Sequence, residues 1–374
     1  MIDKYCQQCY TSEWNLNELF LFNKWIILGG NNMLFPRKLE NGFAIGVTAT
    51  SAGFDSEVDL ARLENGIRHF EAMGYPVKVT DNVRKNYKGR SSDGPTRARE
   101  LLQLYQDDKV STIIAASGGD YLVEMLSHLD YNVLRDNPKW LQGFSDTTGI
   151  LYIITTNLDT ATLYSNNFSS FGMKNWHSSL FENLKLLEGE DIIQSSSKQF
   201  QDGYKPRITG YEEFVLEQDT RWINLYPEGI SEELELHFSG RALGGCLDVL
   251  LNLVGTRFDK TKEFVEKYRN DKILWFLESY DLGSEALTRG LWQLKEAGWF
   301  EHASGFIFGR PAMYHSDSET TYAEAVLSVL GGMNLPIVLD ADIGHKPPQF
   351  TMISGAVAHV HSFNGKGNII FERR

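Results

Sequence analysis

The sequence predicts an α/β protein built on parallel β-sheets. Short apolar segments alternate along the chain with stretches in which apolar residues recur at helical spacing. The first apolar segment, residues 44–49, is followed by Leu60, Leu63, Ile67 and Phe70, which share one face of a helix. Alternating strands and helices predict a parallel sheet whose strands are joined by right-handed crossovers.

Later segments continue this pattern. Residues 113–116 are predicted as a buried strand that follows a helix carrying Ala98, Leu101 and Leu102. Further strands are predicted at 273–277, 305–308 and 336–339, and a hairpin at Asn364-Gly365 between 356–361 and 368–371.

Composition points to a globular protein with two domains. The chain has 374 residues, of which 42% are hydrophobic and 23% charged. A net charge of −13 argues against a nucleic-acid partner, which would call for a basic surface. The expected domains are an N-terminal extension at 1–42, an α/β domain at 43–172, a linker and irregular segment at 173–239, and a C-terminal domain at 240–374.

The cysteines and an apolar segment near the N-terminus indicate where in the cell the protein is found. Three cysteines in the whole chain favour a reducing compartment. Cys6 and Cys9 have the spacing of a redox pair or half a zinc site, but no second pair at zinc-ligand spacing follows, so two incidental thiols are favoured. The apolar segment 19–28 is interrupted by Asn23 and Lys24 and is too short to span a bilayer. A cytoplasmic protein without membrane contact is expected.

A strand–turn–helix segment is the first candidate for chemistry. Ser117-Gly118-Gly119-Asp120 follows the strand 113–116. Paired glycines let backbone N–H groups approach a ligand and form an oxyanion hole or anion nest, although a tight turn explains them equally well. This layout presents a side chain at the carboxyl end of a parallel strand, yet residues 120–124 contain no serine, threonine or cysteine.

Ser145 is the obvious serine when the motifs are considered one by one. It lies in Gly143-Phe144-Ser145-Asp146, but Thr147 stands where the Gly-x-Ser-x-Gly elbow has its second glycine. Three roles stay open: a nucleophile, a residue of a ligand-binding loop, or part of a turn that caps the next helix.

An acid and a base are predicted at the ends of two strands. Glu278 ends the strand 273–277 and is placed to orient an imidazole, although a helix-capping role is the alternative. His345 lies on a proline-rich loop after another strand, a setting in which catalytic bases are common. His359 and His361 alternate on a predicted strand and are interpreted as one solvated face.

Together these motifs resemble the LD-carboxypeptidase family, which includes the microcin-immunity peptidases. The resemblance runs from about Phe43 to the C-terminus. It rests on the Gly-Gly turn, on 143–147, on the segment Gly240-Arg241-Ala242-Leu243-Gly244-Gly245, on Leu277-Glu278 leading to Arg289 and Leu294, and on Gly344-His345 before Thr351.

The resemblance implies a fold and an activity. Its members have an N-terminal flavodoxin-like parallel-sheet domain and a C-terminal α/β barrel-like (swivelling) domain, with a Ser–Glu–His triad between them. They are serine peptidases that cleave amide bonds in peptidoglycan peptides or peptidyl-nucleotide antibiotics. No metal or cofactor is expected, a peptide or muropeptide is the expected ligand, and a homodimer is the expected assembly.

Carried over by position, the resemblance assigns most of a catalytic site. Glu278 is the orienting acid, His345 the general base, and Leu122 occupies the place of the nucleophile. Cys246 replaces the family's asparagine after the later glycine pair. Backbone near Gly118 and the Val123 amide correspond to the oxyanion hole. The expected ligand-contacting residues are Ser117, Gly118, Gly119, Asp120, Val123, Ser145 and Asp146.

Leu122 leaves three hypotheses for function. Triad enzymes that lose a member keep only roughly 10³–10⁴-fold acceleration over water. The leading hypothesis is a hydrolase of LD-carboxypeptidase type, with its activity in question unless Ser117 or a water activated by His345 replaces the serine. The alternative is an inactive homologue that binds a peptide or muropeptide. A purely structural protein is the third, and it predicts Glu278 and His345 more than about 3.5 Å apart.

Overall fold

Two large β-sheets, a separate two-stranded sheet and the helices packed around them form the part of the chain that the structure describes. The computed structural model describes residues 33–226, 229–230 and 234–374. The strands are β1 Ala44–Thr48, β2 Val77–Val79, β3 Val110–Ala115, β4 Trp140–Gly143, β5 Thr162–Tyr164, β6 Gln194–Ser195, β7 Gln199–Phe200, β8 Gln218–Asp219, β9 Ile223–Tyr226, β10 Gly229–Ile230, β11 Leu236–Cys246, β12 Ile273–Glu278, β13 Ala303–Gly309, β14 Ile337–Ala341, β15 Met352–Ser354, β16 Val357–Phe363 and β17 Lys366–Glu372.

The helices follow the periodic segments of the sequence and end in recognisable caps. Ser56 caps the first helix by accepting from the Asp59 amide, and Thr321 with Glu324 forms a capping box on the last. The α-helices are α1 Glu57–Ala72, α2 Gly94–Gln106, α3 Val123–Leu126, α4 Tyr131–Asp136, α5 Thr148–Leu158, α6 Ser178–Leu187, α7 Leu247–Leu250, α8 Thr261–Lys267, α9 Ser284–Glu296 and α10 Tyr322–Leu330. Short 3₁₀ helices lie at Asp81–Arg84, Ser145–Thr147, Phe168–Gly172 and Gly331–Met333.

The first sheet has the strand order β15-β5-β4-β3-β1-β2. Strands β1 to β5 are parallel to their neighbours, as the alternation of strands and helices predicts. β15 joins the edge of this sheet in antiparallel orientation, pairing Met352 with Tyr164. A strand from near the C-terminus therefore completes the sheet that the first half of the chain builds.

The second sheet has the order β10-β9-β14-β13-β12-β11-β16-β17-β6. Its centre, β11 to β14, is parallel, and its flanks are antiparallel. The three predicted buried strands of this half coincide with β12, β13 and β14. The predicted hairpin is β16–β17, and Asn364 and Gly365 both have positive φ, at 48° and 73°, as its turn requires. The α/β class is confirmed, and the barrel-like form of this half stays a prediction.

The segment between the two halves contains a helix and several strands. Of these strands, β6, β9 and β10 belong to the second sheet, and β7 and β8 form a two-stranded sheet of their own. Residues 173–239, expected as a linker and irregular segment, contribute α6 and strands β6 to β10 as well as the start of β11. The domain boundaries stay a prediction. Cys6 and Cys9 lie outside the described residues, as does most of the expected extension 1–42. Within the described ranges, no helix combines the length and apolarity needed to cross a membrane.

Close packing at the ends of β12 and β13 fixes the loop that carries His345. Gly309 ends β13, and a Cβ there would lie 2.2 Å from the Ile343 carbonyl oxygen and 3.0 Å from the Glu278 Cβ. Only a residue without a side chain lets the 343–345 backbone approach the end of β12 this closely.

We predict that Gly309→Ala lowers the free energy of unfolding by at least about 2 kcal/mol, because the added methyl group overlaps backbone that has no room to move. Gly332→Ala is the matched control, since no atom lies within 4 Å of a Cβ at Gly332. It should change stability by no more than about 0.5 kcal/mol. Urea denaturation measures both variants, and equal stabilities would contradict the packing described here.

Candidate active site

Glu278 and His345 form a buried hydrogen-bonded pair. The His345 Nδ1 lies 2.8 Å from the Glu278 Oε2, and the Glu278 side chain is fully buried. The other carboxylate oxygen accepts a hydrogen bond from the Tyr164 hydroxyl at 2.5 Å. Tyr164 ends β5 in the first sheet and Glu278 ends β12 in the second, so the carboxylate joins the two sheets. The 2.8 Å separation is not what a purely structural protein predicts.

Charge interactions within the pair outweigh the effect of burial. Burial by itself raises the pKa of Glu278, but the positive charge and hydrogen bond of His345 and the hydrogen bond from Tyr164 bring it below its ordinary value. Burial favours neutral His345, but the Glu278 carboxylate more than offsets this and raises the pKa of His345. Among the described residues, the His345 Nε2 has no hydrogen-bond partner. A proton acceptor is thus held in one orientation with its reactive nitrogen available.

Two aromatic rings pack against the His345 imidazole, and a carboxylate anchors the loop beside it. The His345 ring packs against Phe144 at 5.0 Å and against Tyr280 at 4.8 Å between ring centroids. Asp248 accepts hydrogen bonds from the backbone N–H groups of Tyr280 and Asp281, both at 2.9 Å, and its charge also raises the pKa of His345. The loop after β12 is therefore anchored beside the imidazole.

The Gly-Gly turn after β3 packs closely against the loop after β1. Gly119 has φ +145°, and a Cβ there would lie 2.4 Å from the Ser51 Oγ. The Ser117 hydroxyl donates to the carbonyls of Ala52 at 3.0 Å and Gly118 at 3.2 Å. The hydroxyl of Ser117, which the sequence offers as a replacement nucleophile, is thus hydrogen-bonded to the Gly-Gly turn and to the loop after β1. Asp120 is exposed.

Leu122, the residue at the position of the expected nucleophile, lies immediately before α3 and has right-handed helical backbone angles. Its φ and ψ are −55° and −38°, and its side chain is fully buried. The side chain packs on α5, where its Cδ2 would lie 2.9 Å from a Cβ at Gly149. Val123, whose amide corresponds to the oxyanion hole, is 46% exposed and begins α3. The turn therefore places an apolar side chain in the interior and offers no nucleophilic atom there.

Asp146 ties three loops together. Its Oδ2 accepts hydrogen bonds from the Ser51 hydroxyl at 2.5 Å and from the Leu122 backbone N–H at 2.9 Å. Burial raises the pKa of this carboxyl, and the two hydrogen bonds oppose the increase. With both bonds made inside the protein and only 4% of its surface exposed, Asp146 positions the turn that carries Leu122.

Ser145 has the strained backbone that Leu122 lacks. Its φ is +61°, in the left-handed region that costs a residue with a Cβ about 1–2 kcal/mol. A Cβ at Gly118 would lie 2.9 Å from the Ser145 Oγ, so this hydroxyl faces the Gly-Gly turn. Among the described residues the Oγ has no hydrogen-bond partner, and the side chain is half-buried. Phe144 links this loop to the His345 ring.

Several residues of the site were not identified from the sequence. Tyr164 and Phe144 approach Glu278 and His345 from the first sheet, and Asp248 approaches from helix α7, which follows β11. Cys246, which the family resemblance identifies as the replacement of an asparagine, pairs with Glu278 in the register of β11 and β12, and burial and the Glu278 charge raise the pKa of its thiol. For Tyr164, the one indication in the sequence was its place at the end of a strand.

Comparison with protein families gives two matches along the chain. The LD-carboxypeptidase N-terminal domain matches residues 45–165, and the LD-carboxypeptidase C-terminal domain matches residues 239–360. The probable murein peptide carboxypeptidase of Bacillus subtilis is 23% identical over 333 residues, covering 87% of this chain and 91% of the relative. The microcin C7 self-immunity protein MccF of Escherichia coli is 24% identical over 322 residues, covering 83% and 88%.

Solved structures share the fold. MccF in complex with aspartyl sulfamoyl adenosine superimposes with a TM-score of 0.74 at 22% identity, covering 91% of this chain and 98% of that one. An MccF-like protein from Streptococcus pneumoniae in complex with AMP gives 0.71 at 23% identity, covering 88% and 99%.

We predict that Glu278→Gln lowers the pKa of His345, because burial then acts on the imidazole with only the smaller opposing effect of the Asp248 charge. NMR titration of the imidazole resonances measures this value. Glu266→Gln is the control, since Glu266 pairs with exposed His302 instead. An unchanged His345 pKa in Glu278→Gln would contradict the pairing.

The same shifts predict how stability depends on pH. The raised pKa of His345 gives stabilisation that is fully present below pH 6.5 and is lost as the pH rises through the folded-state pKa. The lowered pKa of Glu278 gives stabilisation that is present above pH 4.5 and is lost as the pH falls through its folded-state value. The stabilising effect of the pair should therefore be largest between those limits, and Glu278→Gln should remove this maximum in urea denaturation.

Proposed function

This chain belongs to the LD-carboxypeptidase family, as its motifs predict, and we propose that it binds a peptide-like acyl ligand beside Glu278 and His345 without forming a serine acyl-enzyme. Relatives named as carboxypeptidases and as MccF support a peptidase-type function. The observation that carries the proposal is the full burial of Leu122, the residue that the family resemblance assigns to the nucleophile position. Without a hydroxyl there, the covalent route through an ester intermediate has no first step.

The ligand class follows from the groups that remain accessible and from what relatives bind. The His345 Nε2, the half-buried Ser145 hydroxyl and the backbone of the Gly118–Gly119 turn supply polar contacts for a carbonyl or a carboxylate. MccF has been solved with aspartyl sulfamoyl adenosine and with glutamyl sulfamoyl guanosine. Peptides of murein type and aminoacyl nucleotides are therefore the ligands to test first.

A second candidate is hydrolysis by water, and the free Nε2 of His345 favours it. In this route the imidazole takes a proton from water as the water oxygen attacks the amide carbonyl, and then donates that proton to the leaving amine. Glu278 would hold the Nδ1 proton and stabilise the imidazolium. No covalent bond to the protein forms at any stage.

We further infer, from the family resemblance, a homodimer in the cytoplasm. Sedimentation of the full chain at several concentrations tests the assembly, and cell fractionation tests the location.

We predict that the wild-type protein binds aspartyl sulfamoyl adenosine, measured by isothermal titration calorimetry. His345→Ala should weaken binding, whereas His302→Ala, at an exposed surface pair, should not. Incubation with a murein tetrapeptide, followed by mass spectrometry, should show the intact peptide. Product that depends on His345 would favour water attack instead. If calorimetry detected no binding of either the sulfamoyl adenosine or the tetrapeptide to the wild-type protein, both the proposal and its alternative would be contradicted.

We predict that Leu122→Ser gains hydrolytic activity on the same ligands, because the hydroxyl then stands at the turn while Glu278 and His345 are unchanged. Leu122→Ala is the matched control, since it removes the same buried side chain and adds no nucleophile. Both variants should lose about 2–5 kcal/mol of stability to the cavity. Equal activity in the two variants would show that this turn does not present residue 122 to His345.

A further inference from the structure

We propose that Glu235, His237 and His361 form a binding site for a divalent transition-metal ion of the Zn²⁺ class on the outer face of the second sheet. In the antiparallel pair of β11 and β16, His237 lies directly opposite His361. Glu235 precedes His237 by two residues and so lies on the same face of the sheet. Among the described residues, no other group of three such side chains is arranged to hold a metal ion.

The ligand atoms converge on one point. The Glu235 Oε1 lies 2.7 Å from the His361 Nε2 and 3.2 Å from the His237 Nε2. All three atoms lie within 4.8 Å of one another. A tetrahedral zinc ion with bonds of 2.0–2.2 Å separates its ligand atoms by about 3.3–3.6 Å. Small side-chain rotations therefore bring the three atoms to coordination distances.

The two imidazole rings are arranged for a shared ligand. Their centroids are 4.3 Å apart and their planes differ by 13°. Both Nε2 atoms lie on the side of Glu235, and an imidazole whose proton is on Nδ1 directs its Nε2 lone pair toward a cation held there. The Asn368 Nδ2 lies 3.3 Å from the His361 Nδ1. Rotation of the amide would bring its Oδ1 to this place, where it accepts a hydrogen bond from the Nδ1–H of a metal-bound tautomer.

The backbone beneath the site is fixed by the sheet core. Leu236 and Phe238 alternate with the ligands on β11 and are buried, as are Val360 and Ser362 on β16. The ligands themselves are exposed or half-buried, which leaves the metal accessible. Three protein ligands leave a fourth position for water or for a group from another molecule.

The site is separate from the candidate active site. Cys246, which pairs with Glu278, ends β11, whereas His237 lies near its start and Glu235 immediately before it. The nine residue steps of strand from His237 to Cys246 span about 30 Å. The metal proposal therefore does not depend on the proposed function, and either can fail without the other.

Isothermal titration with Zn²⁺ tests the proposal on the full, untagged chain carrying Cys6→Ser and Cys9→Ser, so that those thiols contribute nothing. We expect one Zn²⁺ per chain. His237→Ala and His361→Ala should each weaken binding at least about tenfold, and Glu235→Gln should weaken it too. Replacing Zn²⁺ with Co²⁺ should give the visible absorption of a nitrogen- and oxygen-coordinated ion, lost in His361→Ala.

Two histidines serve as matched controls. His359 lies on the same strand as His361 and pairs with Glu372, and His302 pairs with Glu266, but each pair lacks a second imidazole. His359→Ala and His302→Ala should leave the Zn²⁺ affinity unchanged. The proposal is overturned if the Cys6→Ser/Cys9→Ser chain binds no Zn²⁺, or if both His237→Ala and His361→Ala bind it as tightly as that parent chain.

Discussion

The hydrogen bonds of the Glu278 carboxylate are the constraint on which the site depends. One oxygen holds the His345 imidazole and the other holds the Tyr164 hydroxyl, so a single buried charge joins the two sheets and the loop after β14. A carboxylate with no exposed surface is costly unless it is paired and hydrogen-bonded. Here the pairing is sufficient to keep its pKa below the ordinary value despite burial. The same interaction sets the orientation and the proton affinity of the imidazole.

A serine triad would have a hydroxyl at residue 122 according to the family resemblance, and in this chain Ser145 supplies a hydroxyl near the Gly-Gly turn instead. Leu122 has relaxed helical geometry and an interior side chain, and Asp146 holds its backbone in place. The backbone strain lies instead at Ser145, one residue from the Phe144 ring that packs on His345. A strained residue persists only where the surrounding structure maintains it, and such residues cluster at ligand sites. These positions fit the function proposed above, in which Glu278 and His345 are kept as acid and base and the Ser145 loop contacts the ligand.

The sequence predicts those features that are local in the chain. Hydrophobic periodicity indicates the central strands, and Asn364-Gly365 specifies its hairpin by turn chemistry. Glu278 and His345 are recognisable because Glu278 lies at the end of one strand and His345 follows another. Contacts between distant segments are not predictable in this way. The antiparallel addition of β15 and the bond from Tyr164 depend on packing across more than 100 residues, and the positive φ of Ser145 has no signature in its neighbours.

Covalent capture of hydroxyl nucleophiles tests the central claim most directly. The wild-type protein is incubated with a serine-directed fluorophosphonate, and tandem mass spectrometry locates any adduct. Because no activated hydroxyl faces the His345 Nε2 in this account, the predicted result is an unmodified chain under conditions that label an active serine peptidase. An adduct on Ser145 or Ser117 that disappears in His345→Ala would contradict it, since the acid and base would then activate a serine after all.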